Sequence, residues 1–208
     1  SAMAGTDLAL VRFTSRFLTR ERGREIRDLY GTALVPVVAI SAAAALLLFL
    51  FADPLGRLLS SGGEGAGAPA DQLATYLRVL APFIPVASAY QVIEGGSRGF
   101  GTMVPSVAVE RLGRSVALPL LMLAVLAAGG GITAVALAWA GPFVVALVPL
   151  SLWTVVLVRR AERAVRARGH APDPIARADL RRRFWSFALP RSLAGVFAMT
   201  ILWVDALL

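Results

Sequence analysis

Long uncharged stretches alternate with charged segments along the chain. Residues 29–52 form an uncharged run of 24 residues, and residues 115–158 form one of 44. A helix needs about 20 apolar residues to cross a hydrocarbon layer of about 30 Å. The longer run is interrupted by glycines at 129–131, where two spans can meet. The pattern therefore predicts helical spans at about 31–52, 104–128 and 132–158.

Two further apolar runs carry charges. Residues 79–93 are short for a span, but the extended segment 74–97 is long enough, with its charges one or two turns inside the ends. A fifth run, 184–208, is interrupted only by Arg191 and Asp205. The sequence therefore predicts five spans. Each contains proline, which predicts kinked helices.

Both ends of the chain are abrupt. Residue 1 is Ser, residues 4–11 resemble the end of an apolar segment, and the fifth run still continues at residue 208. The first residues also lack the charged start, apolar core and cleavage site of a signal peptide. We expect the chain to come from the middle of a larger polytopic protein.

Composition supports a membrane protein. Hydrophobic residues make up 57% of the chain, charged residues only 16%, and mean hydropathy is +0.71. This excludes a disordered chain, and the absence of Cys excludes a disulfide scaffold. A single His170 without Cys argues against a zinc site. No metal or cofactor is expected.

The position of the basic residues predicts the topology. All 21 are Arg; six lie within 12–27 and nine within 159–183. Both clusters flank apolar runs, and the larger cluster at 159–183 contains no Phe, Trp or Tyr for base stacking, which argues against nucleic-acid binding. Short cytoplasmic loops beside spans are enriched in Arg. We therefore expect both clusters to be cytoplasmic in a multi-pass protein of the cytoplasmic membrane.

Charges within the predicted spans are the candidate binding residues. An ionised side chain at the bilayer centre costs at least about 2.5 kcal/mol, so it persists where it faces a cavity or a partner. Arg114 lies deepest, about 15 Å into its span, and Glu110 lies four residues earlier on the same helix face. Glu94 and Arg98 repeat this spacing. The candidate cavity residues are Arg78, Glu94, Arg98, Glu110, Arg111, Arg114 and Arg191.

Simpler interpretations exist for some of these features. The long side chains of Arg78, Arg98 and Arg111 can reach lipid head groups without any further role. The glycine-rich residues 95–101 look like a phosphate-binding loop, but the chain has no Lys for a Walker motif and no strand precedes them. We expect a tight turn between helices there.

The order of residues resembles a known family. Residues 77–85 (Leu-Arg-Val-Leu-Ala-Pro-Phe-Ile-Pro) and 95–105 (Gly-Gly-Ser-Arg-Gly-Phe-Gly-Thr-Met-Val-Pro) resemble the fourth and fifth helices of bacterial polysaccharide and lipid-linked oligosaccharide flippases. These belong to the multidrug/oligosaccharidyl-lipid/polysaccharide exporter superfamily. Residues 5–13 resemble the end of the family's second helix, and residues 184–191 the start of its second bundle.

The resemblance implies an all-α polytopic transmembrane bundle. It implies that residues 1–158 form most of a first six-helix bundle, that 159–183 form a basic cytoplasmic linker, and that 184–208 begin a second bundle. Such flippases alternate access around a cationic cavity that holds the pyrophosphate of a polyprenyl-linked saccharide, in contact with membrane lipids and with other polysaccharide assembly proteins as further partners. By resemblance, the candidates for the phosphate contact are Arg78, Arg111, Arg114 and Arg191.

We therefore expect a flippase for lipid-linked saccharide precursors, without enzymatic activity or catalytic residues. One alternative is a cation-coupled multidrug exporter of the same superfamily, which would carry acidic rather than basic residues in its cavity. Another is a membrane-embedded glycan polymerase or acyltransferase. An enzyme of that kind needs paired carboxylates or a His in an outer loop, and the longest outer loop, 53–70, has only Asp53 and Glu64.

Overall fold

The computed structural model describes residues 4–61, 69–102, 104, 107, 113, 115–168 and 175–207. These residues are mainly helical and include no strand. A short 3₁₀ turn, Arg98–Phe100, continues the fifth helix. The α-helices described are α1 (Ala4–Thr19), α2 (Gly23–Leu50), α3 (Ala52–Ser61), α4 (Ala70–Leu80), α5 (Phe83–Ser97), α6 (Ser115–Ala127), α7 (Ile132–Ala167) and α8 (Arg177–Leu207). The prediction of an all-α helical membrane bundle is confirmed.

Two described helices are long and apolar enough to cross a membrane. They contain Glu25–Leu50 of α2, with a mean hydropathy of 2.6, and Thr133–Ala167 of α7, with a mean hydropathy of 2.2. Helices α4 and α5 together form a third candidate span when the bent pair is counted as one helix. Helix α6 is shorter, because only Ser115–Ala127 of the span expected at 104–128 is described as a helix.

The segment expected as one span at 74–97 consists of two helices and is bent. Helices α4 and α5 meet at an angle of 43°, with the break at Ala81 and Pro82. Proline lacks the backbone N–H that a continuous helix needs, and its ring clashes with the preceding turn. The expected kink is therefore found here. Helices α2, α7 and α8 instead continue through their internal prolines without a break.

The outer segment expected as a loop at 53–70 is helical in its first part. Helix α3 covers Ala52–Ser61 and packs against α4. The charges and glycines of this segment obscured the pattern of a short amphipathic helix. Part of its apolar side faces α4, whereas Leu58 and Leu59 are exposed. Residues 62–68, including Glu64, lie outside the described residues.

The Arg-rich segment at 159–183 is also largely helical. Helix α7 runs past the last apolar residues to Ala167, and α8 begins at Arg177. Arg is a good helix former, so the appearance of charge marks the edge of an apolar run and not the end of a helix. The structure does not test the division into two bundles, which stays a prediction.

Two groups of buried side chains hold the helices together. The larger group joins α1, α2, α5 and α8, and includes Leu10, Leu29, Val92 and Phe184. The smaller group joins α5 to α7 through residues such as Tyr90 and Leu150. Large apolar side chains elsewhere on α2 and α7 are exposed, as expected for faces in contact with lipid. Helix α8 thus packs on α1 and shares the main core.

Candidate functional site

Two arginines share one aromatic ring where α1 meets α8. The guanidinium carbon of Arg191 lies 3.9 Å from the centroid of the Phe187 ring, and that of Arg12 lies 4.5 Å from the same centroid. Both distances fall within the range of a cation–π interaction. We call Arg12 and Arg191 the cation pair. Arg191 was expected from the sequence as a cavity residue, whereas Arg12 was not.

Close approach of α1 and α8 positions the cation pair. A Cβ atom at Gly5 would lie 2.6 Å from the carbonyl oxygen of Ala188, so only glycine allows this contact. Phe13 of α1 lies beside Phe184 and Phe187, with ring centroids 5.9 Å and 6.2 Å apart. These edge and tilted contacts are favourable for aromatic rings, and they fix the Phe187 ring between the two helices.

The cation pair differs from other arginines near the ends of the helices. Arg177 bonds to Asp28 at 3.0 Å, and Arg168 forms an ion pair with Glu21. Within the described part of the chain, neither Arg12 nor Arg191 pairs with a carboxylate, and both are exposed. Both guanidinium groups carry a positive charge, and an anion that contacts both of them would offset their mutual repulsion. Phosphate fits, because guanidinium binds its oxygens in a bidentate manner.

Glu94 and Arg98 form the ion pair that their spacing predicted. Oε1 of Glu94 accepts a hydrogen bond from Nη2 of Arg98 at the end of α5. Glu94 is buried, whereas almost half of the Arg98 side chain is exposed. An i,i+4 pair in the Glu-to-Arg order is the favourable one on a helix.

Asp7 is a third charged residue beside this pair, which sequence reasoning missed. A Cβ atom at Gly95 would lie 2.8 Å from both Cβ and Cγ of Asp7. The carboxyl interacts electrostatically with Glu94 and Arg98. Its Oδ1 is buried and has no hydrogen-bond partner within the described residues. An acidic residue in the otherwise apolar segment at 4–11 could have marked Asp7 as a candidate. Its neighbours Glu94 and Arg98 could not be predicted, because only folding brings α1 beside α5.

The glycine-rich residues 95–101 pack against α1 and α2. Cβ atoms at Gly96 and Gly99 would lie 2.7 Å from the Tyr30 hydroxyl and from Cβ of Thr14, respectively. The expected turn lies in the second part of this segment. Residues 95–97 form the last turn of α5, Arg98–Phe100 form a 3₁₀ turn, and Gly101 has φ of 74°. The glycines serve close helix packing, since a side chain would separate α5 from its neighbours.

The other candidates lie apart or outside the described residues. Arg78 bonds to Asp53 at 2.6 Å and joins α4 to α3, on the far side of the bend from Glu94. The structure therefore does not bring Arg78 together with the charges on α5 or α8. Glu110, Arg111 and Arg114 lie outside the described residues. Within those that are described, no group of three or more metal-ligating side chains is present.

Comparison with known families assigns the chain to a group of transporters. The sequence model of the MatE family matches residues 1–123, which include α1 to α5. The chain therefore belongs to the MatE family, in the multidrug/oligosaccharidyl-lipid/polysaccharide exporter superfamily. Members of the family are membrane transporters, and the apolar helices agree with a multi-pass membrane protein. No curated protein and no solved structure gives a significant match.

Proposed function

We propose that this member of the MatE family moves a lipid-linked oligosaccharide or polysaccharide precursor across the cytoplasmic membrane, and that the cation pair holds its pyrophosphate. One observation carries the proposal: Arg12 and Arg191 lie over the same ring and lack a carboxylate partner within the described residues. A pyrophosphate carries charge opposite to the pair and offers several oxygens for bidentate contacts.

The position of the cation pair suits alternating access. In the proposed organisation, α1 belongs to a first bundle at 1–158, and α8 contains the first helix of a second bundle, 184–208, after the segment 159–183. A ligand held by both arginines would therefore touch both bundles. Arg12 lies seven residues before Thr19, about 10 Å along α1 from the Arg-rich end, which we propose to be cytoplasmic. An anionic head group entering from that side would reach the pair within two turns.

A cation-coupled multidrug exporter is the second candidate function, and a separate observation favours it. Asp7 and Glu94 place two acidic side chains beside each other, and Asp7 Oδ1 has no hydrogen-bond partner within the described residues. A cationic drug or coupling ion would favour these carboxylates, whereas the cation pair would repel it. The two candidates therefore depend on different residues.

The test uses the intact protein in proteoliposomes with a fluorescent polyprenyl-pyrophosphate saccharide. Arg12→Gln/Arg191→Gln should abolish flipping while membrane insertion stays normal. Arg16→Gln is the matched control, because Arg16 is an exposed arginine one turn further along α1. Unchanged flipping by the double variant contradicts the phosphate contact. Transport of a cationic dye that Asp7→Asn abolishes, with no flipping by the wild type, would favour the multidrug exporter.

A further inference from the structure

A second candidate binding site lies between α2, α5 and α7. A cavity of about 490 Å³ opens there at the Arg-rich ends of α2 and α7. Its apolar wall includes Leu34, Ile93, Val155 and Val158. Neither residue of the cation pair lines it, so it is separate from the proposed transport site. Its volume is in the range of small-molecule binding pockets.

Three charged side chains line the cavity at its Arg-rich end. Arg27 comes from the start of α2, and Arg159 and Glu162 come from α7. Both arginines are exposed. In the described part of the chain, none of the three forms an ion pair. The lining thus offers two cations and one anion, which matches a head group that combines a phosphate with an ammonium group.

Tyr30 and Thr154 also line the cavity, but their hydroxyl oxygens are buried and not exposed to it. Each residue is only 6% exposed. The Tyr30 hydroxyl lies against Gly96 of α5, which does not line the cavity. The charged side chains therefore decide which head group the cavity can bind.

The charged side chains lie at one end of the cavity on both helices. On α2, Arg27 is followed inward by Tyr30 and Leu34. On α7, Arg159 is followed inward by Val158 and Val155, and then by Thr154 and Ser151. The cavity therefore presents charge at its Arg-rich end and a mainly apolar wall further in.

We propose that this cavity binds a glycerophospholipid with an amine head group, such as phosphatidylethanolamine. Arg27 and Arg159 hold the phosphate, and Glu162 accepts hydrogen bonds from the ammonium group. The acyl chains begin along the apolar wall and continue over the exposed faces of the helices. Basic pockets between membrane helices are known to hold lipid head groups.

The amine of the head group separates this ligand from the proposed transport substrate. A polyprenyl phosphate has phosphate oxygens and an apolar chain but no amine, so it would leave Glu162 without a partner. The proposal therefore goes beyond the proposed function and does not depend on it. A chain of different transport specificity could hold the same lipid.

The first test is native mass spectrometry of the intact protein in detergent with added phosphatidylethanolamine. The wild type should retain the lipid, and Arg27→Gln/Arg159→Gln should reduce the retained fraction at least about tenfold, since charged hydrogen bonds are among the strongest contacts. The matched control is Arg160→Gln/Arg163→Gln, which removes two exposed charges of α7 that do not line the cavity. Equal retention by both double variants would overturn the proposal.

The second test compares two head groups. The wild type should bind phosphatidylethanolamine about fivefold more tightly than phosphatidylglycerol, because Glu162 accepts hydrogen bonds from the ammonium group. Glu162→Gln should lose this preference. Equal binding of the two lipids by the wild type overturns the proposal. So does displacement of the lipid by a polyprenyl phosphate, or retention of inorganic phosphate alone.

Discussion

Replacing Gly5 by Ala tests the close contact that positions the cation pair. The added Cβ would lie 2.6 Å from the backbone oxygen of Ala188, whereas ordinary contacts begin at 3.4 Å. The backbone nitrogen of Ser192 lies closer still. Because both atoms are backbone, no side-chain rotation can relieve the clash, and α1 must move away from α8 by at least roughly 0.8 Å. Overpacking of this kind is destabilising by about 1–3 kcal/mol.

Gly31→Ala supplies the matched control. Gly31 lies in α2, and a Cβ there would meet nothing within 4 Å. Both substitutions gain the same helix propensity, about 1 kcal/mol in favour of Ala. The difference in stability between the two variants therefore isolates the cost of the clash, about 1–3 kcal/mol in favour of Gly31→Ala.

Thermal unfolding of the purified protein measures this difference. A change of 1 kcal/mol shifts the Tm of a chain of this size by about 2–4 °C, so Gly5→Ala should unfold at least about 2 °C below Gly31→Ala. Equal Tm values for the two variants would refute the reasoning. That result would mean that α1 and α8 do not approach at Gly5 as closely as the structure shows, and the placement of Arg12 beside Phe187 would lose its support.

Three further substitutions have defined outcomes. Arg98→Ala leaves the buried Glu94 carboxylate without this partner and should lower the free energy of unfolding by about 1–3 kcal/mol in chemical unfolding. Glu94→Gln should lower it less. The reverse order would show that Arg98 does not stabilise the Glu94 carboxylate. Arg78→Ala removes an exposed ion pair with Asp53 and should change stability by no more than about 1 kcal/mol, so a larger Tm loss would contradict the exposed geometry. Gly129→Ala places a side chain at φ of 68° and should be destabilising by about 1–2 kcal/mol. Gly131→Ala should not be destabilising, because Gly131 has φ of −67° and open space around it. Equal unfolding midpoints of the two variants would contradict the described turn.

Local patterns in the sequence predicted local features of the fold. The spacing of Glu94 and Arg98 predicted their ion pair, because four residues place two side chains on one helix face. The glycines at 129–131 predicted the turn between α6 and α7. In each case the interacting groups are close in sequence, and helix geometry alone decides their positions.

Features that depend on helix packing could not be predicted in this way. Arg12 and Arg191 stand 179 positions apart in the chain and meet only because α8 packs on α1. Asp7 reaches Glu94 only through the close contact at Gly95. Apolar periodicity shows which face of a helix is buried, but it does not show which neighbour covers that face.

The ends of the helices illustrate a second limit. The predicted span at 132–158 ended at the last uncharged residue, but α7 continues through Arg159 to Ala167. Charge reports the preference of a side chain for water, whereas the backbone hydrogen bonds of a helix are satisfied in water and lipid alike. An apolar run therefore defines the membrane-embedded part of a helix more closely than the helix itself.

The length of α7 links the phospholipid cavity to the thickness of the bilayer. Residues 132–158 of this helix are uncharged and span 27 positions, about 40 Å of helix, against a hydrocarbon layer of about 30 Å. A helix longer than the layer tilts to stay within it, and a thicker bilayer allows it to stand more upright. Because Thr154 and Arg159 lie on α7 and Arg27 lies on α2, a change in tilt alters the separation between the two walls. The composition of the surrounding membrane thus acts on this cavity through hydrophobic mismatch as well as through the lipid that occupies it.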